Sequence, residues 1–255
     1  MSSSNNYDSF AKQRAQDFAS GSNLVHAYIE KPAMYALVPP LEGKSVLCVG
    51  CGTGEECSEL KERGAKVTGI DISKASIDYA IQHVPAVNFQ VMDIDSSDNL
   101  LSLGKHQFDL IYSSLTLHYS NNLDILLRNL RHLLTPGGLL LFSVGHPIRW
   151  AAKVEEKEDV KSVVLGYKQG QGETEIFGDY LSTRQFRQKL SDGPEVTYWM
   201  RPISAYLELL KKNRYELIEF KEPSPIDSAR QVDENFWNLR SMLPVDMVFL
   251  VRVQD

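Results

Sequence analysis

Cysteine is scarce in this 255-residue chain, and Cys48, Cys51 and Cys57 are the whole complement. All three sit in or beside one glycine-rich stretch. That placement fits neither a disulfide framework nor a zinc spacing, so no metal role is expected. It suggests a reducing, cytoplasmic setting. Long apolar runs are missing too: none approaches the ~20 residues of a membrane span. Met1 to Asn6 is polar and lacks the apolar core of a signal peptide. Positive charge is in deficit, with 27 Lys and Arg against 33 Asp and Glu, and the net charge of −6 argues against a general nucleic-acid binder. Internal repeats and low-complexity segments are absent. What remains is 43% hydrophobic and 24% charged, the make-up of a globular chain long enough for one large domain or a domain with an elaboration.

The chain is organised around Ser45-Val-Leu-Cys-Val-Gly-Cys-Gly-Thr-Gly-Glu-Glu56. Val46 to Val49 reads as a buried strand, the glycines break it, and a helical pattern over about 54–63 follows, stopped by Gly64. Such a turn lets a ligand lie against bare backbone N–H groups. Ahead of it, residues 7–37 look helical. Tyr7, Phe10, Arg14 and Phe18 recur at helical spacing up to Gly21. Asn23 can cap a second helix carrying Leu24, Ala27 and Tyr28, which Pro32 interrupts or restarts. Packing on a sheet is the favoured reading of these helices, and a lid bringing Tyr7 or Tyr28 to a pocket the other.

From 45 to 145 strands and helices alternate. Lys66–Ile70 is the second strand, Ser73 caps a helix to about Gln82, Val87–Met92 is the third strand, and Leu110–Ser113 is the core of the fourth. Leu123, Leu126, Leu127, Leu130, Leu133 and Leu134 make one helical stripe, which Pro136-Gly137-Gly138 ends before a fifth strand, Leu139–Val144. This is an α/β pattern with a parallel sheet covered on both faces. Residues 149–200 break the rhythm and are expected to hold partly ordered β structure, including a strand at Glu195–Trp199, with Lys153–Lys161 a solvated face. A helix resumes near Ile203 with Tyr206, Leu207 and Leu210 on one side. Tyr215–Phe220 is a strand, Pro223 and Pro225 open an excursion, and Val245–Val251 is the last strand.

Dinucleotide enzymes want Gly-x-Gly-x-x-Gly, but position 55, the third glycine's place, is glutamate. Glu55 and Glu56 in the first helical turn would repel a diphosphate, whereas a cationic ligand would not suffer that. Both facts point to a nucleoside without phosphates. Asp71, 21 residues after Gly50, can accept both hydroxyls of a ribose, or is a helix-entry residue paired with Ser73. Asp93 can take an adenine amino proton, or belongs to a turn with Asp95 and Asp98.

Val46–Gly54, Val67–Asp71, Phe89–Asp93, Phe108–Tyr119 and Leu130–Pro147 together resemble the successive motifs of class I S-adenosylmethionine-dependent methyltransferases, over about 100 residues. The rest resembles, more loosely, the small-molecule branch of that family. The resemblance implies a Rossmann-like seven-stranded, mostly parallel sheet of order 3-2-1-4-5-7-6, its last strand antiparallel. It implies a single domain over 1–255, a helical cover over 1–40 and a substrate-side insertion over 149–200. S-adenosylmethionine is the implied cofactor, held by Gly50, Cys51, Gly52 and Gly54, by Asp71 and Ile72, by Asp93 and Ile94, and by Ser113 and Ser114. The family usually carries an acid where this chain has Cys48, and a thiol cannot supply that carboxylate, which implies weaker cofactor binding.

Three groups lie where an acceptor would sit: His118 and Tyr119 after the fourth strand, and His146 after the fifth. Each histidine is read as a substrate contact or catalytic group, or else as a helix-entry or turn residue. Arg149 opens the insertion and is read as a substrate-side residue lining its mouth. Arg201 resembles a family histidine–arginine pattern with Met200 in the histidine's place, and either holds an acidic substrate group or pins the insertion by a salt bridge. The leading reading is methyl transfer to a small molecule. A non-catalytic S-adenosylmethionine-binding regulator is the alternative, then an RNA or protein methyltransferase; the acidic balance opposes RNA. Tyr112-Ser113-Ser114-Leu115 stands where an Asn/Asp-Pro-Pro-Tyr-like run would signal methylation of a planar nitrogen. A nicotinamide oxidoreductase ranks last.

Overall fold

The computed structural model describes residues 22–157, 160–170, 173–189 and 195–254. Tyr7, Phe10, Arg14, Phe18 and Gly21 lie outside them. Where the described chain begins, Asn23 acts as a cap: its Oδ1 accepts from the His26 N–H at 3.2 Å. His26–Glu30 is a π-helical turn, and α1 (Lys31–Tyr35) continues it with Pro32 in its first turn. Proline has no N–H to donate, so the ladder widens just ahead of it and the chain runs on.

Next come β1 (Ser45–Val49), α2 (Glu55–Glu62), β2 (Lys66–Asp71), α3 (Lys74–His83), β3 (Asn88–Val91), α4 (Ser97–Leu101) and β4 (Phe108–Ser113). A 3₁₀ turn, Leu117–Tyr119, leads to α5 (Leu123–Leu133), β5 (Leu134–Gly145) and α6 (Ile148–Ala151). Three hairpins follow: β6 (Lys153–Lys157) with β7 (Val160–Val164), β8 (Gly166–Gln169) with β9 (Thr174–Phe177), and β10 (Arg184–Lys189) with β11 (Glu195–Met200). The chain closes with α7 (Ile203–Lys212), β12 (Tyr215–Lys221), α8 (Ala229–Val232), α9 (Glu234–Met242) and β13 (Asp246–Val253).

The central sheet has seven strands in the order β12-β13-β5-β4-β1-β2-β3. Its inner pairs are parallel, and β13 runs antiparallel to both β5 and β12. Numbered within the sheet, this is 3-2-1-4-5-7-6, the expected order. Side chains alternate between its two faces. Leu47, Val49, Ile111, Phe142 and Phe249 meet the leucines of α5 and Tyr206 and Leu210 of α7. Val46, Cys48, Tyr112, Leu141 and Val248 meet Met34 of α1 and the buried sides of α2 and α3.

Several elements differ from the reading above. The leucine helix ends at Leu133, and Leu134 already pairs with Phe108 as the first residue of β5. The Pro-Gly-Gly run is a bulge inside that strand, between the pairs Phe108↔Leu134 and Leu110↔Leu139. In α7 the buried side is Tyr206 and Leu210, and Leu207 is 38% exposed. Within the stretch expected to be a solvated face, Lys153–Lys157 pairs antiparallel with Val160–Val164, and Lys153 and Val154 are exposed. The excursion after Pro223 carries α8 and α9, and the Ile226 N–H donates to the Tyr28 carbonyl at 2.9 Å, tying it to the N-terminal turn.

Candidate active site

The first strand ends in a turn whose glycines have different reasons to be there. Gly50 has φ +73°, and a Cβ on it would lie 2.0 Å from Oγ1 of Thr116, so this glycine admits the chain leaving β4. Gly52 has φ +54°, and a Cβ there would meet nothing within 4 Å. Its bare backbone borders open space. Asp71 braces the turn from the end of β2, with Oδ2 accepting from the Gly52 N–H at 2.9 Å and Oδ1 from the Ser73 N–H at 2.8 Å. Those two bonds leave lone pairs on both oxygens for ligand hydroxyls. The helix-entry bond and the ribose-facing position therefore coexist. Open space beside Gly52, bordered by a carboxylate, fits the ribose side of the nucleoside that the resemblance implies.

Ile72 is half-buried next to Asp71. Asp93 is exposed at the end of β3, and its Oδ1 accepts from the Asp95 N–H at 2.9 Å. Ile94 packs against the core. Asp95 accepts from the Ser120 hydroxyl at 2.6 Å and from the side-chain amide of Asn121 at 2.7 Å. It thereby ties the loop after β3 to the 3₁₀ turn after β4.

The end of β4 is built from hydroxyls. Ser113 Oγ donates to the Val49 carbonyl at 3.1 Å, and Ser114 Oγ donates to Oε1 of Glu30 at 3.0 Å. Ser143 Oγ also donates to Glu30 and accepts from the Leu115 N–H at 2.9 Å. Glu30 is fully buried, with Nδ1 of His26 2.9 Å from its Oε2. Burial pulls the His26 pKa down, but the Glu30 carboxylate outweighs it and the net direction is up. Beside them Tyr112 Oη donates to Oε1 of Glu56 at 2.6 Å. Burial and the neighbouring Glu30 push the Glu56 carboxyl up to about 7. Sequence reasoning missed Glu30 and Ser143 altogether. It read Glu56 only as a charge that repels diphosphate; for Glu30 the signal was an acid placed directly after the run Ala27-Tyr28-Ile29.

On the other side of β4 the turn presents His118, 5% exposed, in an aromatic box. Its ring centroid lies 4.4 Å from that of Tyr119, 5.8 Å from Tyr198 and 6.3 Å from Trp150. Burial, aided by the charges of Arg201 and Arg149, lowers its pKa to about 3, so the imidazole is neutral. Its Nδ1 has no hydrogen-bond partner among the described residues. Arg201 is 6% exposed, with Nη2 donating to the Ser120 carbonyl at 2.9 Å and Nη1 unpartnered among the described residues. The guanidinium of Arg149 lies 5.4 Å from the Trp150 ring centre. Trp150 in turn fills the space a side chain at position 145 would need, 1.9 Å from a Cβ on Gly145.

His146 is arranged differently. Its Nδ1 accepts from the Ile148 N–H at 3.1 Å, which puts the proton on Nε2, and Nε2 lies 2.6 Å from Oε1 of Glu222. Both ring nitrogens are engaged in holding the turn after β5. The structure thus brings His118, Tyr119 and Arg201 together and gives His146 a separate, local role. All three cysteines are free thiols, Cys48 and Cys57 buried and Cys51 partly so.

Residues 47–142 match the family model described as a methyltransferase domain. An uncharacterized protein of Haemophilus influenzae is 33% identical over 159 residues, 60% of each chain. The ubiquinone biosynthesis O-methyltransferase of Coxiella burnetii is 36% identical over 107 residues, 40% of this chain and 44% of that enzyme. The matches therefore span less than two thirds of either relative. Among solved structures, an S-adenosylmethionine-dependent methyltransferase from Mesorhizobium loti superposes with a TM-score of 0.71 at 25% identity, covering 88% of this chain and 97% of that one.

Proposed function

We infer that this chain, a member of the S-adenosylmethionine-dependent methyltransferase family through its residues 47–142, transfers a methyl group to a small acidic molecule. When bound, S-adenosylmethionine supplies an electrophilic methyl group on a sulfonium. Gly50, Cys51, Gly52 and Gly54 would hold its methionine part, Asp71 and Ile72 its ribose, Asp93 and Ile94 its adenine, and Ser113 and Ser114 would border its amino group. Residues 1–40 serve as a cover and 149–200 as the insertion that shapes the acceptor side.

The observation that carries the acidic acceptor is Arg201. The guanidinium, 6% exposed, is held by the Ser120 carbonyl, the Tyr206 hydroxyl and the Trp199 ring and feels the charge of Asp95, yet its Nη1 stays unpartnered among the described residues, a place an anion would complete. His118 supports the same conclusion. A neutral imidazole with its pKa near 3 is a poor proton acceptor at neutral pH, which favours an acceptor that arrives already ionised. A carboxylate, or a phenol that ionises readily, meets that demand. Arg201 then orients the anion, Arg149 draws it to the mouth, and the rings of Tyr119, Trp150 and Tyr198 keep water from the reacting atoms. O-methylation is also what the Coxiella relative is named for.

The test is transfer of labelled methyl from S-adenosylmethionine to a panel of acidic, neutral and cationic small molecules. Ester or ether products from acidic members are expected, with Arg201→Met raising KM by roughly tenfold or more for them. Binding of S-adenosylhomocysteine should stay within about twofold in that variant. Turnover confined to neutral or cationic acceptors would contradict the reading. Cofactor binding without turnover on any acceptor would favour the non-catalytic regulator.

A further inference from the structure

Cys48 leaves β1 without the acid that the resemblance leads one to expect, yet the space around it is rich in carboxyl groups. Glu56 reaches in from the first turn of α2 to Tyr112, and Tyr112 is the register partner of Cys48 on β4. Glu30 reaches in from the N-terminal turn to Ser114 and Ser143 at the ends of β4 and β5. Single polar atoms of His26, Glu30 and Glu56 all lie within 4.8 Å of one another.

A third carboxyl group points the same way. Asp246 is 1% exposed, and its Oδ2 has no hydrogen-bond partner among the described residues. Val248 opposes Ser143 in the sheet, and Val248, Leu250 and Leu141 share the face covered by α1. Strand alternation therefore sends Asp246 to that face as well, where the His26–Glu30 turn packs on β13. Burial and the charge of Glu30 push Asp246 up to about 7, as they do Glu56. Arg149 and Arg240 offset part of the charge of Asp246, but Glu30 and Glu56 share the one imidazole of His26, and burying two carboxyl groups so is costly without a further cation.

We infer that Glu30 and Glu56, with Asp246 beside them, seat a primary ammonium group, that of the cofactor's methionine part, and so replace the carboxylate that position 48 lacks. This rests on the cofactor reading above and reverses the expectation of weaker binding. The seat adjoins the glycine turn, because Glu56 follows that turn directly and Ser114 precedes Thr116, the residue against Gly50. An ammonium suits the site better than a metal ion does. His26 already turns Nδ1 to Glu30, and two hydroxyls already bind Oε1 of Glu30, whereas three N–H donors match the carboxyl oxygens that remain. His26 is a positioning residue here, holding Glu30 in place.

The test is calorimetric titration of the full-length protein, Glu30→Gln and Glu56→Gln with two ligands. One is S-adenosylhomocysteine. The other is 5′-methylthioadenosine, which keeps the nucleoside thioether and lacks the amino-acid part. The wild type is expected to prefer S-adenosylhomocysteine at least about tenfold. Each variant should lose that preference while binding methylthioadenosine within about twofold of wild type. Should Glu30→Gln fail to fold, Glu56→Gln decides alone, since its amide oxygen still accepts from Tyr112. An undiminished preference in Glu56→Gln overturns the inference. So does saturable Zn²⁺ binding to the ligand-free protein that Glu56→Gln abolishes, which would make the cluster a metal site. A wild type that binds methylthioadenosine but not S-adenosylhomocysteine overturns it too, while one that binds neither refutes the cofactor reading itself.

Discussion

Burial first, and then the facing charges of Arg201 and Arg149, hold the His118 imidazole well below the ordinary histidine value of ~6.5, at about 3. Between those values the unfolded chain binds more protons than the folded one. The stability linked to His118 is therefore complete above ~6.5 and lost as pH falls. His118→Phe keeps a ring against Tyr119 and Tyr198 and removes the proton site. Urea unfolding should show this variant gaining on wild type by about 2 kcal/mol at pH 5 relative to pH 7.5. A difference that is the same at both pH values would show that His118 is already charged in the folded protein. Glu56 carries the opposite sign. Its folded pKa is raised to about 7, so the folded state binds more protons than the unfolded one and stability falls as pH rises through that window. Ligand-free Glu56→Gln should thus be more stable than wild type at pH 8 and close to it at pH 5. A variant less stable than wild type at pH 8 would mean that the carboxylate is not under strain there. Stability sacrificed at a binding residue is a common trade.

Among the elements, the glycine turn offers the sharpest contrast. Gly50→Ala places a Cβ against Thr116 in a left-handed conformation and should destabilise by about 2–4 kcal/mol in urea unfolding. Gly52→Ala meets no atom within 4 Å and should cost only about 1–2 kcal/mol, yet weaken S-adenosylhomocysteine more than Gly50→Ala does. Equal effects of the two on binding would remove the distinction between a glycine for packing and one for the ligand. This distinction was not legible in the sequence, where both are simply glycines before a helix. The strands from β1 to β4 were legible, because buried parallel strands read as apolar runs and Ser73 caps α3 as its type suggests. The start of β5 was not, since Pro-Gly-Gly marks a helix stop and a strand bulge equally well. Nor was α7 read correctly at Leu207, where one apolar residue faces out of an otherwise regular stripe. The position of Asp71 was legible, because one strand tip supplies one residue. The site was illegible where distant segments meet, as Glu30 meets Ser143 across 113 positions.

At the scale of the molecule, the segments outside the alternating core converge on the end of the sheet where the strands β1 to β5 finish. The N-terminal turn brings Glu30 there, and the excursion after β12 is tied to that turn through Ile226 and Tyr28. The hairpin β10–β11 joins through Arg184, whose Nη2 donates to the Trp150 carbonyl at 3.1 Å. A parallel sheet leaves its ligand groove at that end, which is where the proposed cover and insertion would close. None of the described helices is long and apolar enough to cross a membrane. The central claim is that the turn after β1 and the acid at the end of β2 hold an adenosyl ligand. Titration calorimetry of S-adenosylhomocysteine into wild type and Asp71→Ala tests it most directly. The account predicts a single saturable site in wild type, weakened by roughly 30-fold or more in the variant through loss of about 2 kcal/mol of charge-assisted hydrogen bonding. No saturable heat in wild type at millimolar ligand, or equal affinity in the two proteins, would contradict it.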